Sequence, residues 1–108
     1  MRTPKPFPEV RVVGMHFRGD YAKAAVENME PPLELELERE PENAFDSMAI
    51  KVNYNGQHIG YVERGQAAFI SPWMDQGHKF TCVVERLETV KNNLHPICTI
   101  SAQEPTDA

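Results

Sequence analysis

The chain has 108 residues, of which 16 are acidic and 11 basic, giving a formal net charge of −5. A chain of this length forms one domain with its own core, and 41% hydrophobic with 25% charged residues is typical of a globular protein. No run approaches the roughly 18 apolar residues of a membrane helix, and the acidic balance excludes tight, non-specific binding along a nucleic-acid duplex. We expect a cytoplasmic protein with no secretory signal and no membrane partner.

The hydrophobic pattern predicts about six strands and one or two short helices along the chain. Strands are expected at residues 10–17, 33–38, 49–54, 57–62, 79–89 and 97–103, and helices at residues 20–29 and 65–76. An extended, proline-rich lead-in is expected at residues 1–8 and a short tail at residues 104–108, which leaves residues 9–103 as the domain. These elements favour a mainly β fold, either a small barrel or a strongly bent sheet with a helix plugging it.

Local patterns carry most of this prediction. Residues 33–38 alternate leucine with glutamate, which places the leucines on one face of a strand and the glutamates on the other. Asn55-Gly56 predicts a type I′ hairpin turn, because both central positions need positive φ. Pro72 is expected to interrupt or restart the second helix, and residues 90–96 are expected to form a polar loop between the last two strands.

An aromatic residue and an acid adjoin in the loop between the predicted second and third strands. Phe45 and Asp46 lie among residues that favour turns, including Pro41 and Asn43. The pair has two interpretations. In the first, Phe45 plugs the core and Asp46 caps a turn; in the second, the ring is a stacking platform beside a hydrogen-bond acceptor. On general grounds the plug is favoured.

The sequence disfavours both a metal site and an enzyme active site. Cys82, His95 and Cys98 are the residues from which a zinc site would be assembled, but no C-x-x-C pair and no compact histidine pair accompanies them. The cysteines lie in apolar, strand-like segments, where buried reduced thiols are typical. The chain also lacks a P-loop, a G-x-G-x-x-G turn and a Ser-His-Asp order. We therefore expect a binding domain without a cofactor.

The sequence resembles a known family, and the most specific part of the resemblance begins at residue 39. The stretch R-E-P-x-N-x-F-D-x-x-A-I-x-V, followed by a hairpin and I-G-Y-V, resembles the HIRAN domain, which is found at the front of certain fork-remodelling DNA translocases and as a free-standing bacterial protein. The resemblance runs over about residues 10–101. It implies a six-stranded OB-like or SH3-like barrel with one or two short helices, with ATP hydrolysis confined to separate domains. The matching residues are Arg39, Glu40, Pro41, Asn43, Phe45, Asp46, Ala49, Ile50, Val52, Gly56, Ile59, Gly60, Tyr61 and Val62, with Val12, Val13, Gly14 and Phe17 before them.

The resemblance also implies a function, because the best-understood members hold the 3′ end of single-stranded DNA. Carried over to this sequence, Phe45 would stack on a base, Asp46 would accept a hydrogen bond from the 3′-hydroxyl group, and Arg64 would bind a phosphate. A basic–aromatic pair on the first strand, the residue after the hairpin's I-G, and a residue of the last loop would complete the pocket. The implied nucleic-acid-binding residues are His16, Phe17, Arg18, Phe45, Asp46, Tyr61, Arg64 and Leu94.

Three positions depart from the DNA-binding members, which leaves a second hypothesis open. His16 replaces an arginine, Tyr61 replaces a histidine, and Leu94 or His95 stands near the place of the last aromatic residue. These changes predict a weaker or differently tuned pocket. The alternative is a protein-interaction adaptor with a weakened or vestigial DNA pocket, whose partner would be a DNA-repair or replication protein.

The distribution of charge provides a criterion between the two hypotheses. Residues 27–46 carry a net charge of −7, whereas residues 1–26 carry +3. An acidic protein can therefore still present a basic pocket. Arginines gathered around Phe45 would favour DNA, and glutamates around the rim would favour the adaptor.

Overall fold

A computed structural model of the chain describes residues 3–103 as a closed, six-stranded antiparallel barrel. The strand order around the barrel is β1-β4-β3-β2-β5-β6. The predicted fold class is confirmed, while the predicted tail at residues 104–108 and the first two residues of the lead-in lie outside the described residues. The elements are β1 (Phe7–Val13), a 3-10 turn (Met15–Phe17), α1 (Asp20–Glu27), β2 (Leu33–Arg39), β3 (Ile50–Tyr54), β4 (Gln57–Val62), α2 (Arg64–Asp75), β5 (Phe80–Val90) and β6 (Asn93–Ala102).

The core is made by side chains that alternate inward along the strands. β2 follows its leucine–glutamate pattern as predicted, with Leu35 buried and the three glutamates exposed. Its first residues pair with β5 and its later residues with β3, so β2 joins the two halves of the barrel. Burial of the apolar side chains supplies the main stabilising free energy. The most deeply buried strand residues include Val10, Val12, Ile50, Val52, Ile59, Val84, Cys98 and Ile100.

Gly56 and Gly60, both on the β3–β4 hairpin, are needed for different structural reasons. Asn55 and Gly56 have φ angles of 52° and 78°, which confirms the predicted turn with two positive φ values. Gly60 allows close contact between β4 and β1: a β-carbon there would lie 2.5 Å from the carbonyl oxygen of Val13. The glycine that precedes Tyr61 is therefore required by strand packing rather than by backbone flexibility.

The first strand differs from its predicted bounds at both ends. β1 begins at Phe7, inside the predicted lead-in, where Phe7 pairs with Ile100 of β6. It ends at Val13, because Gly14 has a φ of 85° and directs the chain into the 3-10 turn. The expectation that His16 and Phe17 lie on the first strand is wrong, since both project from the turn beyond it.

The loop predicted at residues 90–96 is also shorter than expected. Lys91 and Asn92, with φ angles of 49° and 69°, make a tight turn between β5 and β6. Leu94 consequently lies on β6 opposite Thr89, and not in a loop.

The second helix continues through its proline, contrary to the prediction of an interruption. Pro72 lies inside α2 and has no N–H to donate, so the carbonyl oxygen of Ala68 has no helical partner. Ala68 is exposed, so water can bond to that oxygen. The opposite side of α2 buries Ala67 and Ile70 against the barrel core. Within residues 3–103, neither helix has the length and apolar character needed to cross a bilayer.

Candidate nucleic-acid interface

The loop between β2 and β3 holds its own backbone by side-chain hydrogen bonds. Asn43 Oδ1 accepts from the backbone N–H groups of Phe45 (2.9 Å) and Asp46 (3.1 Å), and Asp46 Oδ1 accepts from the N–H of Met48 (2.9 Å). These turns fix the direction of the Phe45 side chain, which is 90% exposed. The interpretation of Phe45 as a core plug is therefore wrong.

Arg39, at the end of β2, joins this loop to α2. Its guanidinium donates to both carboxylate oxygens of Asp75 (2.8 and 3.1 Å) and to the carbonyl oxygens of Ser47 (2.9 Å) and Ala49 (2.7 Å). The hydrogen bonds from Arg39 hold the pKa of the Asp75 carboxyl below its usual value. A single planar side chain thus fixes the returning limb of the loop that carries Phe45.

Two further residues of α2 contact the same loop. Ser71 is fully buried, and its hydroxyl donates to the carbonyl oxygen of Met48 (2.5 Å). Arg64, at the start of α2, lies with Nε 3.7 Å from Asp46 Oδ2. The Arg64 side chain is 78% exposed while that of Asp46 is 20% exposed, so the guanidinium remains accessible to a phosphate above the carboxylate.

Tyr61 is connected to the same loop through Glu40. The hydroxyl of Tyr61 and Nδ2 of Asn43 both donate to Glu40 Oε1, at 2.8 and 3.0 Å. The hydrogen bond from Asn43 lowers the pKa of Glu40, and Tyr61 and Lys51 lower it further, so the carboxyl is ionised at neutral pH. Burial raises the pKa of Tyr61, and the hydrogen bond to Glu40 adds a smaller increase, so the phenol keeps its proton.

A row of side chains across four strands places a lysine beside Tyr61. Val13 of β1 pairs with Tyr61 of β4, which pairs with Lys51 of β3, which pairs with Glu38 of β2. Paired residues on neighbouring strands point to the same face of a sheet. Lys51 therefore lies between the site and the acidic outer face of β2.

The basic–aromatic pair lies on the turn after β1. The rings of His16 and Phe17 pack with centroids 4.0 Å apart, and Phe17 is 80% exposed. His16 and Leu94 line one cleft of about 250 Å³, together with Lys23 and other residues of α1 and the β5–β6 turn. Arg18 follows on the same turn, close enough to His58 and Tyr61 to lower the pKa of each electrostatically.

The eight candidate residues therefore form three neighbouring groups. Phe45, Asp46 and Arg64 lie together. Tyr61 joins them through Glu40 and Asn43 and has Arg18 beside it. His16, whose ring packs against Phe17, lines one cleft with Leu94. The charge criterion gives a mixed result: arginines lie beside both Asp46 and Tyr61, but one ionised glutamate lies within the site.

Nearly the whole chain matches one family of domains. The profile of the HIRAN domain family covers residues 8–103. The chain belongs to the HIRAN family. HIRAN domains are nucleic-acid-binding modules, which agrees with the exposed aromatic rings and accessible arginines of this domain.

Two solved structures share the fold of this HIRAN domain. The crystal structure of a protein from Lactobacillus plantarum, a structural-genomics target, has a TM-score of 0.76 at 26% identity, covering 92% of this chain and 95% of that chain. The crystal structure of the HIRAN domain of human HLTF has a TM-score of 0.69 at 22% identity, covering 90% and 74% respectively. The search of curated proteins found no match to the sequence.

The zinc candidates do not form a cluster in this HIRAN domain. Cys82 and Cys98 are buried inside the barrel, where the hydrogen bond that the Cys82 thiol makes to Cys98 and burial both raise the pKa of Cys82. His95 makes a 2.9 Å hydrogen bond through Nδ1 to the carbonyl oxygen of Val12, and because a carbonyl only accepts, that nitrogen carries the proton. In the described part of the chain, no three His, Cys, Asp or Glu side chains converge as metal ligands.

Sequence reasoning missed three residues that shape the site of this HIRAN domain. Asn43 was predicted only to favour a turn. The side-chain oxygen of an asparagine at the start of a turn commonly accepts hydrogen bonds from the backbone N–H groups of the residues that follow it, as Asn43 does here. Lys51 and His58 lie on β3 and β4, and their closeness to Tyr61 follows from strand register. A regular two-residue hairpin would instead place Lys51 opposite Gly60, so no local signal could have found its contact with Tyr61.

Proposed function

We propose that this HIRAN domain binds the 3′-hydroxyl end of single-stranded DNA at Phe45, Asp46 and Arg64. The observation that carries the proposal is the 90% exposure of Phe45 on a loop whose backbone is held by Asn43, Arg39 and Ser71. An exposed aromatic ring costs free energy in water, and because the loop backbone that carries Phe45 is already held, little backbone entropy is lost when a base stacks on the ring. The arrangement suits a ligand with a flat apolar face.

Asp46 supplies the end preference. One of its oxygens accepts the N–H of Met48, and the other lies 3.7 Å from the Arg64 guanidinium with lone pairs left to accept. A carboxylate accepts a hydrogen bond from a hydroxyl group but repels a phosphate. Arg64 neutralises part of that charge and can hold the phosphate that joins the last two nucleotides.

The test compares short 5′-labelled single strands that end in either a 3′-hydroxyl or a 3′-phosphate. The wild-type domain should prefer the hydroxyl, and Asp46→Ala should lose the preference. Asp46→Asn keeps an acceptor oxygen without the charge, so it should retain hydroxyl binding and tolerate the phosphate better. Glu36→Gln, on the exposed face of β2, is the matched control for loss of an acidic charge. Equal affinity of the wild-type domain for both ends would refute the end preference.

Phe45→Ala tests the stacking contact separately. Loss of one base–aromatic stack should weaken binding by about 1–3 kcal/mol, or roughly five- to 150-fold. Phe69, 72% exposed on α2, provides the matched control, and Phe69→Ala should bind like the wild-type domain. If both variants lose the same affinity, the effect of Phe45 does not come from a specific stack. Raising the salt concentration should weaken wild-type binding, since phosphate contacts release counterions.

The adaptor is the second candidate function, and the ionised carboxylate of Glu40 favours it. That charge lies between Tyr61 and Asn43 and opposes the approach of a phosphate to this part of the site. An adaptor would retain a DNA-repair or replication protein after nuclease treatment, and Phe45→Ala would release it. If nuclease treatment releases the partner, nucleic acid and not the barrel mediates the association.

A further inference from the structure

A basic cluster of Arg18, Lys51 and His58 surrounds Tyr61 on the outer face of the barrel. Lys51 is the cross-strand partner of Tyr61, and the His58 ring packs edge-on against the Tyr61 ring with centroids 4.8 Å apart. Arg18 lies within electrostatic reach of both His58 and Tyr61. The cluster is made by three separate elements, namely the turn after β1, β3 and β4, and none of these three side chains acts at Phe45 or Asp46.

The hydrogen bonding of His58 leaves one ring nitrogen for a ligand. Its Nε2 lies 2.9 Å from the carbonyl oxygen of Gly60, and because a carbonyl only accepts, Nε2 carries the proton of the neutral ring. Tyr21 donates to the backbone carbonyl oxygen of His58 (2.8 Å), which fixes the backbone beneath the ring. The remaining nitrogen, Nδ1, is an acceptor when the ring is neutral and a donor when the ring is protonated.

We propose that Arg18, Lys51 and His58 form a second phosphate position, which takes an internal phosphodiester of the strand whose 3′ end lies at Asp46, and that His58 binds a proton when this phosphate binds. The inference rests on the proposed function for its ligand, but Lys51 and His58 lie outside the eight residues implied by the resemblance. When His58 is protonated, Arg18, Lys51 and His58 bring three positive charges to the surroundings of Tyr61, and together they outweigh the negative charge of Glu40 that would repel a phosphate there. Tyr61, in the middle of the cluster, can pack against the sugar or base of the same nucleotide.

The charged surroundings of His58 explain why proton uptake accompanies phosphate binding. Burial lowers the pKa of His58 and Arg18 and Lys51 lower it further, while the hydrogen bond to the Gly60 carbonyl oxygen and the charge of Glu40 raise it. Facing His58 from the other elements are Tyr21 of α1 and Asn53, its partner on β3, whose side-chain amide donates to the carboxylate of Glu38 on β2 (3.2 Å). A phosphate among these cations raises the pKa of His58, so the bound complex holds a proton that the free domain lacks.

Two measurements on a 5′-labelled single strand with a 3′-hydroxyl test the proposal. Affinity should rise as the pH falls from about 8 to about 5.5, by at most about tenfold per pH unit because one proton is taken up. His58→Gln keeps a donor for the Gly60 carbonyl oxygen but does not titrate, so it should flatten this dependence. His78→Gln, whose ring packs against Trp73, is the matched control and should behave like the wild-type domain.

The second measurement uses salt and a neutral linkage. Lys51→Met should reduce the slope of log affinity against log salt by about 0.7, the value for one phosphate contact on a single strand. A strand with one methylphosphonate at the contacted internal linkage should bind the wild-type domain and Lys51→Met equally. Lys79→Met, which removes a lysine from the groove between β2 and β5, should leave the slope unchanged.

The outcomes separate this inference from the proposed function. If the preference for a 3′-hydroxyl persists but Lys51→Met and His58→Gln bind like their controls, the second phosphate position is refuted alone. If the preference is absent but the pH and salt effects remain, end recognition is refuted and the phosphate position stands. Complete displacement of the strand from the cluster by inorganic phosphate at millimolar concentration would show a free-anion site, and would overturn the assignment to a strand.

Discussion

Replacement of Gly60 by alanine tests whether the packing of β1 against β4 positions the site. The added β-carbon would lie 2.5 Å from the carbonyl oxygen of Val13 and 3.2 Å from both Met15 Sδ and Val12 Cγ1. Ordinary contact of a β-carbon begins at 3.4 Å. The backbones of β1 and β4 would therefore have to separate by close to an ångström at this point, because a carbonyl oxygen in a paired strand has no side-chain freedom to move aside.

The expected cost follows from overpacking of a close-packed interior. Such substitutions destabilise by about 1–3 kcal/mol, against a total stability of about 5–15 kcal/mol for a domain of this size. The Gly60→Ala protein should therefore fold, with a melting temperature lowered by about 4–8 °C for each kcal/mol lost. Tyr61 follows Gly60 directly, so its hydrogen bond to Glu40 should weaken as well.

Urea unfolding followed by the fluorescence of Trp73, the single tryptophan, measures this cost. Gly65→Ala is the matched control, because it adds the same methyl group at the first turn of α2. Its nearest neighbour is the flexible carboxylate end of Glu63, and alanine favours the helix, so its stability should change by less than about 1 kcal/mol. A Gly60→Ala protein as stable as the wild type, or one no less stable than Gly65→Ala, would refute the close-approach argument.

Three further substitutions test the supports of the site. Ser71→Ala removes the buried hydroxyl that donates to the Met48 carbonyl oxygen and should lower the free energy of unfolding by about 0.5–1.5 kcal/mol in urea titrations, whereas no change would show that water replaces the bond. Arg39→Lys cannot make the four hydrogen bonds of the guanidinium and should lower the free energy of unfolding by about 1–2 kcal/mol, a figure kept small because Asp75 is half exposed. Asp75→Asn keeps one acceptor oxygen and should lower it less. If Asp75→Asn costs more than Arg39→Lys, Arg39 does not hold the loop to α2 in this way. Burial lowers the pKa of His58 in the folded state below its usual value of 6.5, so the stability that the neutral ring contributes is complete above pH 6.5 and is lost as the pH falls towards the folded-state pKa. His58→Gln should remove that part of the loss in unfolding curves measured across this range.

Individual residues show which parts of the structure the sequence could predict. The exposed and buried faces of β2 follow from the strict alternation of glutamate and leucine. The hairpin turn at Asn55-Gly56 follows from the ease with which these two residues adopt positive φ. Both features depend on residues close together in the sequence, so tertiary contacts do not change them. Phe45 and Asp46 were identified as candidates from a motif. The exposure of the Phe45 ring could not be inferred from composition, because a phenylalanine in a loop can either pack into the core or face water.

The pairing of Lys51 illustrates a decision made only in three dimensions. A regular two-residue hairpin, with Tyr54 opposite Gln57, would place Lys51 opposite Gly60. A shift of register between Val52 and Asn53 moves it by one position, so that Lys51 pairs with Tyr61. That irregularity adds a cation to the site, and no local sequence pattern predicts it.

The sequence by itself determined the class of fold, the positions of most strands and the family, because alternation, turn residues and a specific motif act over short stretches of chain. The tertiary structure alone decided that Phe45 faces water and that Arg18, Lys51 and His58 meet around Tyr61. These features depend on barrel closure, which joins side chains from distant segments through strand register and the packing of α2. The net charge of −5 describes the whole chain, whereas binding depends on the local field that closure creates.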